Sequence, residues 1–222
     1  MARIKAVVFD WDGTIVNTMP LKINNAASMF EEIYNADAEN VSLSYRKYSG
    51  VSRKELFNLI AIENMGRELS LLEFNRLSSE FTLRNTTSYK ENRVFDEKNR
   101  ELLQWLAARG FELFVSSSAV KEEICELAVF LDIKKYFKEM LGASGDFIKG
   151  KAHMSYIKNK YGLKTDQIMF VGDEKADMRL VGRLGVICVG IVNGNPDSAL
   201  DREFADYVIS DLSQLREILT VL

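Results

Sequence analysis

Two carboxylates stand two residues apart where the chain's first apolar run ends: Ile4, Ala6, Val7, Val8 and Phe9 lead into Asp10-Trp11-Asp12-Gly13-Thr14. A short, partly β-branched run bounded by glycine reads as a strand buried on both faces. Such strands belong to parallel α/β sheets, whose ligands bind in the crevice beyond the strands' carboxyl ends. Asp10 is then expected at a strand end and Asp12 in the turn after it, where Gly13 lets the backbone come close to a ligand. The same residue types also make ordinary turns, so the motif takes its meaning from the rest of the chain.

Further along, apolar runs at 111–115 and 168–171 end on Ser116-Ser117-Ser118 and on Gly172-Asp173. In a parallel sheet these ends lie along one edge, so Asp10, Ser116 and Asp173 are expected in a single crevice. Asp177 follows Asp173 by four residues as the next helix begins, a spacing that puts both carboxylates on one helical face. Four converging acids repel one another, and a bound cation relieves that. Clustered carboxylate oxygens suit Mg²⁺, which leaves room for waters and a substrate phosphate. Lys149 or Lys151, opening the helix before residues 168–171, can bring an ammonium to the same place; Lys149 is preferred.

Acid, cation, hydroxyl and ammonium together describe phosphoryl transfer, in which catalysis is mostly positioning and charge stabilisation. A carboxylate can attack phosphorus and form an aspartyl phosphate. A neighbouring acid and base must then protonate the leaving oxygen and activate water. Asp10 and Asp12 fit those two roles.

The elements that must position these residues fall into two grammars. Residues 21–89 read as helices without a convincing strand: an apolar stripe over 21–34, then capping boxes at Ser52-Arg53-Lys54-Glu55 and Ser70-Leu71-Leu72-Glu73. From Asp96 onward helices and strands alternate, with strands also expected near 140–143, 186–189 and 207–209. That alternation argues for an α/β fold, a doubly wound parallel sheet, with an inserted all-helical second domain. The expected boundaries are 1–17 and 90–222 for the sheet domain and 18–89 for the insertion.

Length and composition agree with this. The chain has 222 residues, 47% hydrophobic and 27% charged, with a formal charge of −3, enough for one large or two small domains. A dedicated nucleic-acid binder would usually carry a basic surplus, so nucleic acid is not an expected partner. No apolar segment approaches the roughly 20 residues of a membrane helix. Met1-Ala2-Arg3 leads straight toward a strand rather than a signal peptide, so a cytoplasmic location is expected. Cys125 and Cys188 have no metal-ligand spacing and read as reduced core residues.

With these residues in place the chain resembles the haloacid dehalogenase superfamily of phosphohydrolases. Its four motifs are matched by Asp10 to Thr14, by Phe114-Val115-Ser116, by Lys149, and by Gly172 to Asp177. The resemblance implies Asp10 as nucleophile and magnesium ligand, and Asp12 as general acid and base with its backbone carbonyl on the metal. Asp173 is implied as the other protein ligand, with Ser116 and Lys149 on the phosphate and Asp177 and Thr14 behind them. The insertion looks like the cap of the phosphoglycolate phosphatase and β-phosphoglucomutase branch, which closes over substrate and excludes water. Two departures stand out: Asn17 lies where the branch often has an acid, and Lys149-Gly150-Lys151 replaces its Lys-Pro.

The expected activity is hydrolysis of a small phosphorylated metabolite, of the phosphoglycolate or sugar phosphate class. The alternatives are a β-phosphoglucomutase-like phosphotransferase and, more distantly, a receiver-type signalling domain that accepts phosphate on aspartate. Gly145 to Ala152 nearly spells a P-loop, but Ala152 stands where a hydroxyl is required. Ser117 can offer a backbone amide to phosphate, while Ser118 reads as the cap of the next helix. Gly50 and Arg53 form the cap loop most worth testing for substrate contact. His153, the one histidine, reads as a surface helix position.

Overall fold

The strands of the sheet are β1 (Ala6–Phe9), β2 (Glu112–Val120), β3 (Phe137–Ala143), β4 (Ile168–Gly172), β5 (Ile187–Ile191) and β6 (Tyr207–Ile209). They hydrogen-bond in the order β3-β2-β1-β4-β5-β6, and every neighbouring pair is parallel. We describe residues 4–192 and 204–222 of a computed structural model of the chain. Met1, Ala2 and Arg3, read above as leading into the first strand, lie outside the described residues.

Nine α-helices accompany the sheet among the described residues. They are α1 (Met19–Tyr34), α2 (Ala38–Lys47), α3 (Arg53–Met65), α4 (Leu71–Glu91), α5 (Glu97–Ala108), α6 (Lys121–Phe130), α7 (Lys151–Tyr161), α8 (Lys175–Gly182) and α9 (Leu215–Val221). The chain divides into two compact units: residues up to Asn17 with Phe95–Leu222, and Thr18–Val94. The second division falls a few residues later than the pattern suggested, because α4 runs unbroken to Glu91.

In the sheet unit β1 is the central strand and all four of its residues are buried, as its continuous apolar run requires. Ala6 and Val8 pack with Phe114, Met154, Ile157, Phe170, Met178 and Cys188, which fill the space between the sheet and helices α7 and α8. Burial, with the Asp206 and Asp177 carboxylates near, pushes the Cys188 thiol up to about 12. Cys125 is also a free thiol, but it is only partly buried.

The helical unit has its own core, in which Phe30, Phe57 and Phe81 meet edge-on, with Val41, Ile60 and Leu77 around them. Ser70 and Glu73 cap α4 reciprocally, whereas at α3 the Ser52 Oγ accepts from the Glu55 N–H at 3.3 Å. Helix α2 carries a hydropathy pattern too polar to announce it. It starts on Asp37, whose Oδ1 accepts from the Asn40 N–H at 2.8 Å.

Three local expectations are corrected. Strand β2 does not stop at Ser116 but continues to Val120, through a register irregularity between Ser116 and Val120 against β3. Helix α6 therefore starts at Lys121, with Val120 at its N-cap and no side-chain cap, so Ser118 is not the cap. Asp173 lies before α8, whose first residue is Lys175, so Asp173 and Asp177 do not share a helical face.

Candidate active site

The register of three strands sets the site. Phe9 on β1 is level with Val115 on β2 and with Val171 on β4, so Asp10, Ser116 and Gly172 emerge side by side, with Asp173 one step further on. The Asp10 N–H still donates to the Val171 carbonyl at 2.8 Å, which holds the residue at the strand edge. Asp10, Asp173 and Asp177 each offer a carboxylate oxygen, all within 4.8 Å of one another.

The turn after Asp10 is tied to this cluster. The Ile15 and Val16 N–H groups donate to the Trp11 carbonyl, and the Gly13 N–H donates to the Val16 carbonyl at 2.8 Å. Gly13 sits at φ +77°, and a Cβ built on it would lie 2.1 Å from Asp173 Oδ2. Only glycine meets both conditions. Next to it, Thr14 Oγ1 donates to Asp173 Oδ1 at 3.2 Å. Asp12 is half-buried within the turn. Trp11 is buried and meets Phe137 of β3 edge-on at 6.5 Å, so its ring serves packing.

Lys149 is buried and completes the cluster, with Nζ 2.8 Å from Asp10 Oδ1 and 2.6 Å from Asp177 Oδ1. Lys151, the other candidate, opens α7 and is exposed. Burial pushes the Lys149 ammonium down, but the Asp10 and Asp177 charges more than offset this and hold it above the ordinary lysine value. One ammonium cannot neutralise three carboxylates. Burial, with Asp10, Glu174 and Asp177 near, holds the Asp173 carboxyl well above the usual range. Burial likewise raises Asp177, against the pull of Lys149. Neither Asp177 oxygen has a properly directed hydrogen bond beyond the ion pair. A largely buried donor set of this kind, all oxygen and crowded with like charge, has the chemistry of a hard divalent cation site.

The hydroxyls lie on the neighbouring strand. Ser116 and Ser117 are both buried, and Ser117 Oγ accepts from the Ala119 N–H at 3.0 Å within the irregular part of β2. Ser116 Oγ lies 2.9 Å from His153 Nδ1. That corrects the reading of His153 as a surface residue: it is fully buried in the first turn of α7. Its sequence signal was the helical spacing to Ile157, four residues on and also buried.

Gly50 and Arg53 belong to the helical unit. Gly50 has φ +94°. Arg53 is buried among cap residues: its Nη1 donates to Thr82 Oγ1 at 2.7 Å and to the Ser78 carbonyl and hydroxyl at 3.3 Å, and its guanidinium lies over the Phe81 ring.

A parallel α/β sheet whose strand ends gather aspartates, a lysine and hydroxyls around a prospective cation is the arrangement of a hydrolase that works on a charged group. The chain belongs to the haloacid dehalogenase-like hydrolase family, whose model matches residues 7–191. It is 28% identical to the phosphoglycolate phosphatase of Haemophilus influenzae (strain 86-028NP), in an alignment covering 98% of this chain and 99% of that protein. A solved structure of a predicted phosphoglycolate phosphatase from Haemophilus somnus 129pt matches at TM-score 0.79 and 24% identity, over 98% of this chain and 99% of that one. A family hydrolase of Bacillus subtilis solved with magnesium bound matches at TM-score 0.73 and 16% identity, over 99% of this chain and all of the other. No helix among the described residues is long and apolar enough to cross a membrane.

Proposed function

We propose that this protein is a magnesium-dependent phosphatase that hydrolyses a small phosphorylated metabolite through an aspartyl phosphate on Asp10. The observation that carries the reading is the convergence of Asp10, Asp173, Asp177 and Lys149 in one largely buried cluster beside Ser116. The phosphoryl group is bound by the Lys149 ammonium and the Ser116 hydroxyl, with Ser117 alongside. A carboxylate oxygen of Asp10 attacks phosphorus, the ester P–O bond breaks, and its electron pair leaves on the alcohol oxygen, which takes a proton from the Asp12 carboxyl. Asp12, now a carboxylate, removes a proton from water as that water attacks the same phosphorus. Phosphate departs and Asp10 returns as a carboxylate.

The donor set fits Mg²⁺, held by Asp10, Asp173 and the Asp12 backbone carbonyl, with Asp177 and Thr14 steadying Lys149 and Asp173. When bound, the ion neutralises charge on the phosphoryl oxygens. The full-length similarity to a phosphoglycolate phosphatase makes 2-phosphoglycolate the first substrate to test. The test is phosphate release from a panel of phosphorylated metabolites with and without magnesium. Release that requires magnesium and is lost in Asp10→Asn is expected; equal release by Asp10→Asn, or none on any substrate, overturns the reading. Isomerised sugar phosphate in place of free phosphate would make the protein a mutase.

A further inference from the structure

We propose that His153 is a positioning residue for the phosphate site, fixing the direction of the Ser116 hydroxyl. The inference rests on the phosphatase reading above and adds a residue that none of the four motifs contains. His153 Nδ1 lies 2.9 Å from Ser116 Oγ, and both residues are fully buried. The ring packs against Phe147, tilted by 48° with centroids 4.5 Å apart, and Phe147 meets Tyr156 edge-on in turn, so the imidazole is held by packing as well as by its contact with Ser116.

The two ring nitrogens are not equivalent. Nε2 is buried without a hydrogen-bond partner, whereas Nδ1 has one. Burial keeps the imidazole neutral, against the opposite pull of the Phe147 and Gly142 carbonyls near the ring and with the Lys149 charge acting in the same direction as burial, so the ring carries one proton. On Nε2 that proton would be a buried donor with no well-directed acceptor. On Nδ1 it is donated to Ser116 Oγ.

The second arrangement has a consequence for binding. With Nδ1–H donating to its oxygen, Ser116 keeps its own O–H hydrogen available for a phosphoryl oxygen. With the proton on Nε2, Ser116 would direct its hydrogen at Nδ1 and present only lone pairs to an anion. His153 thereby sets the hydroxyl as a donor before any substrate arrives, the kind of pre-organisation that strengthens anion stabilisation.

Because the chain has a single histidine, the long-range ¹H–¹⁵N spectrum of protein labelled at histidine contains one ring system and reads its tautomer directly. A proton on Nδ1 is expected at neutral pH; a proton on Nε2 overturns the proposal whatever the enzyme's activity. The functional test compares His153→Asn, which keeps a donor near the Nδ1 position, with His153→Leu, which fills the space without one. Inorganic phosphate serves as competitive inhibitor and thermal unfolding as the check on folding. His153→Leu is expected to weaken phosphate about tenfold and lower kcat/KM by a similar factor, as for loss of one hydrogen bond. His153→Asn should recover most of both, and in a Ser116→Ala background His153→Leu should change phosphate affinity less than twofold. Unchanged phosphate binding in all variants, an equal effect without Ser116, or no recovery in a folded His153→Asn overturns the role of His153 alone. A wild-type protein that neither binds phosphate nor hydrolyses esters overturns the phosphatase reading and this role with it.

Discussion

At Gly13 the chain's two functional demands meet in one residue. Its φ of +77° is a region where side chains are strained, and its missing Cβ is the space that Asp173 Oδ2 occupies. Gly13→Ala should therefore destabilise the protein by about 1–3 kcal/mol through backbone strain, measured by urea unfolding. It should also lower kcat/KM by roughly a hundredfold, because displacing Asp173 misplaces a group that must be aligned. His153 makes a different residue-level prediction. Burial lowers its pKa from 6.5 to about 4, so between those values the unfolded chain takes up a proton that the folded one does not. Stability contributed by neutral burial is full above about pH 6.5 and is lost as pH falls toward 4, a change of up to about 3 kcal/mol. Comparing unfolding free energies of wild type and His153→Asn over this window should show that the variant lacks that part of the slope.

At the scale of elements, the strands that end on functional residues were legible because a doubly buried strand is a continuous apolar run, and the residue after the run is at the sheet edge. That logic placed Asp10, Ser116 and Asp173 together without any tertiary information, and the observed register supports it. It failed where apolar patterning carries no signal. Nothing in Ser116-Ser117-Ser118-Ala119-Val120 marks an irregular extension of β2, since serines suit a turn or a cap equally well. The environment of Arg53 is hidden for a related reason: its charge suggests a surface, while its guanidinium lies over Phe81 and finds hydroxyls inside the helical unit. The capping signals were more reliable because they are local. At α4, the Ser70 N–H donates to Glu73 Oε2 at 2.8 Å, the Glu73 N–H donates back to Ser70 Oγ at 3.3 Å, and Arg67 clasps the same carboxylate. Ser70→Ala should cost about 1 kcal/mol. Ser52→Ala, which removes a single long cap bond, should cost less. Amide hydrogen exchange in the first turns of α4 and α3 distinguishes the two, and equal protection losses would count against the reciprocal cap.

At the scale of the whole molecule, every carboxylate and ammonium in the cluster comes from the sheet unit, drawn from the ends of β1 and β4, the first turn of α8 and the residues just before α7, so the stability of that unit is coupled to whatever occupies the cluster. Without a cation, Asp173 and Asp177 bind protons more tightly in the folded protein than in the unfolded chain, because burial and mutual repulsion oppose their charged forms. The sign follows from linkage: groups with raised native pKa values contribute stability at low pH and lose it as pH rises above the ordinary carboxylate value near 4 toward about 8. This opposes the contribution of His153, which grows over the lower part of the same range. Magnesium should replace the retained protons, so its stabilising effect should increase with pH. At a hundredfold excess over its dissociation constant it should add about 2.7 kcal/mol, and the midpoint of thermal unfolding should rise accordingly. Unfolding followed at pH 5, 6.5 and 8, with magnesium and with a chelator, measures this directly. The gain should be largest at pH 8, be accompanied by proton release on titration in weak buffer, and shrink in Asp173→Asn, which removes both a ligand and one of the repelling charges. A magnesium effect that is independent of pH, or that persists undiminished in Asp173→Asn, would place the ion elsewhere and leave the three carboxylates with a structural role alone.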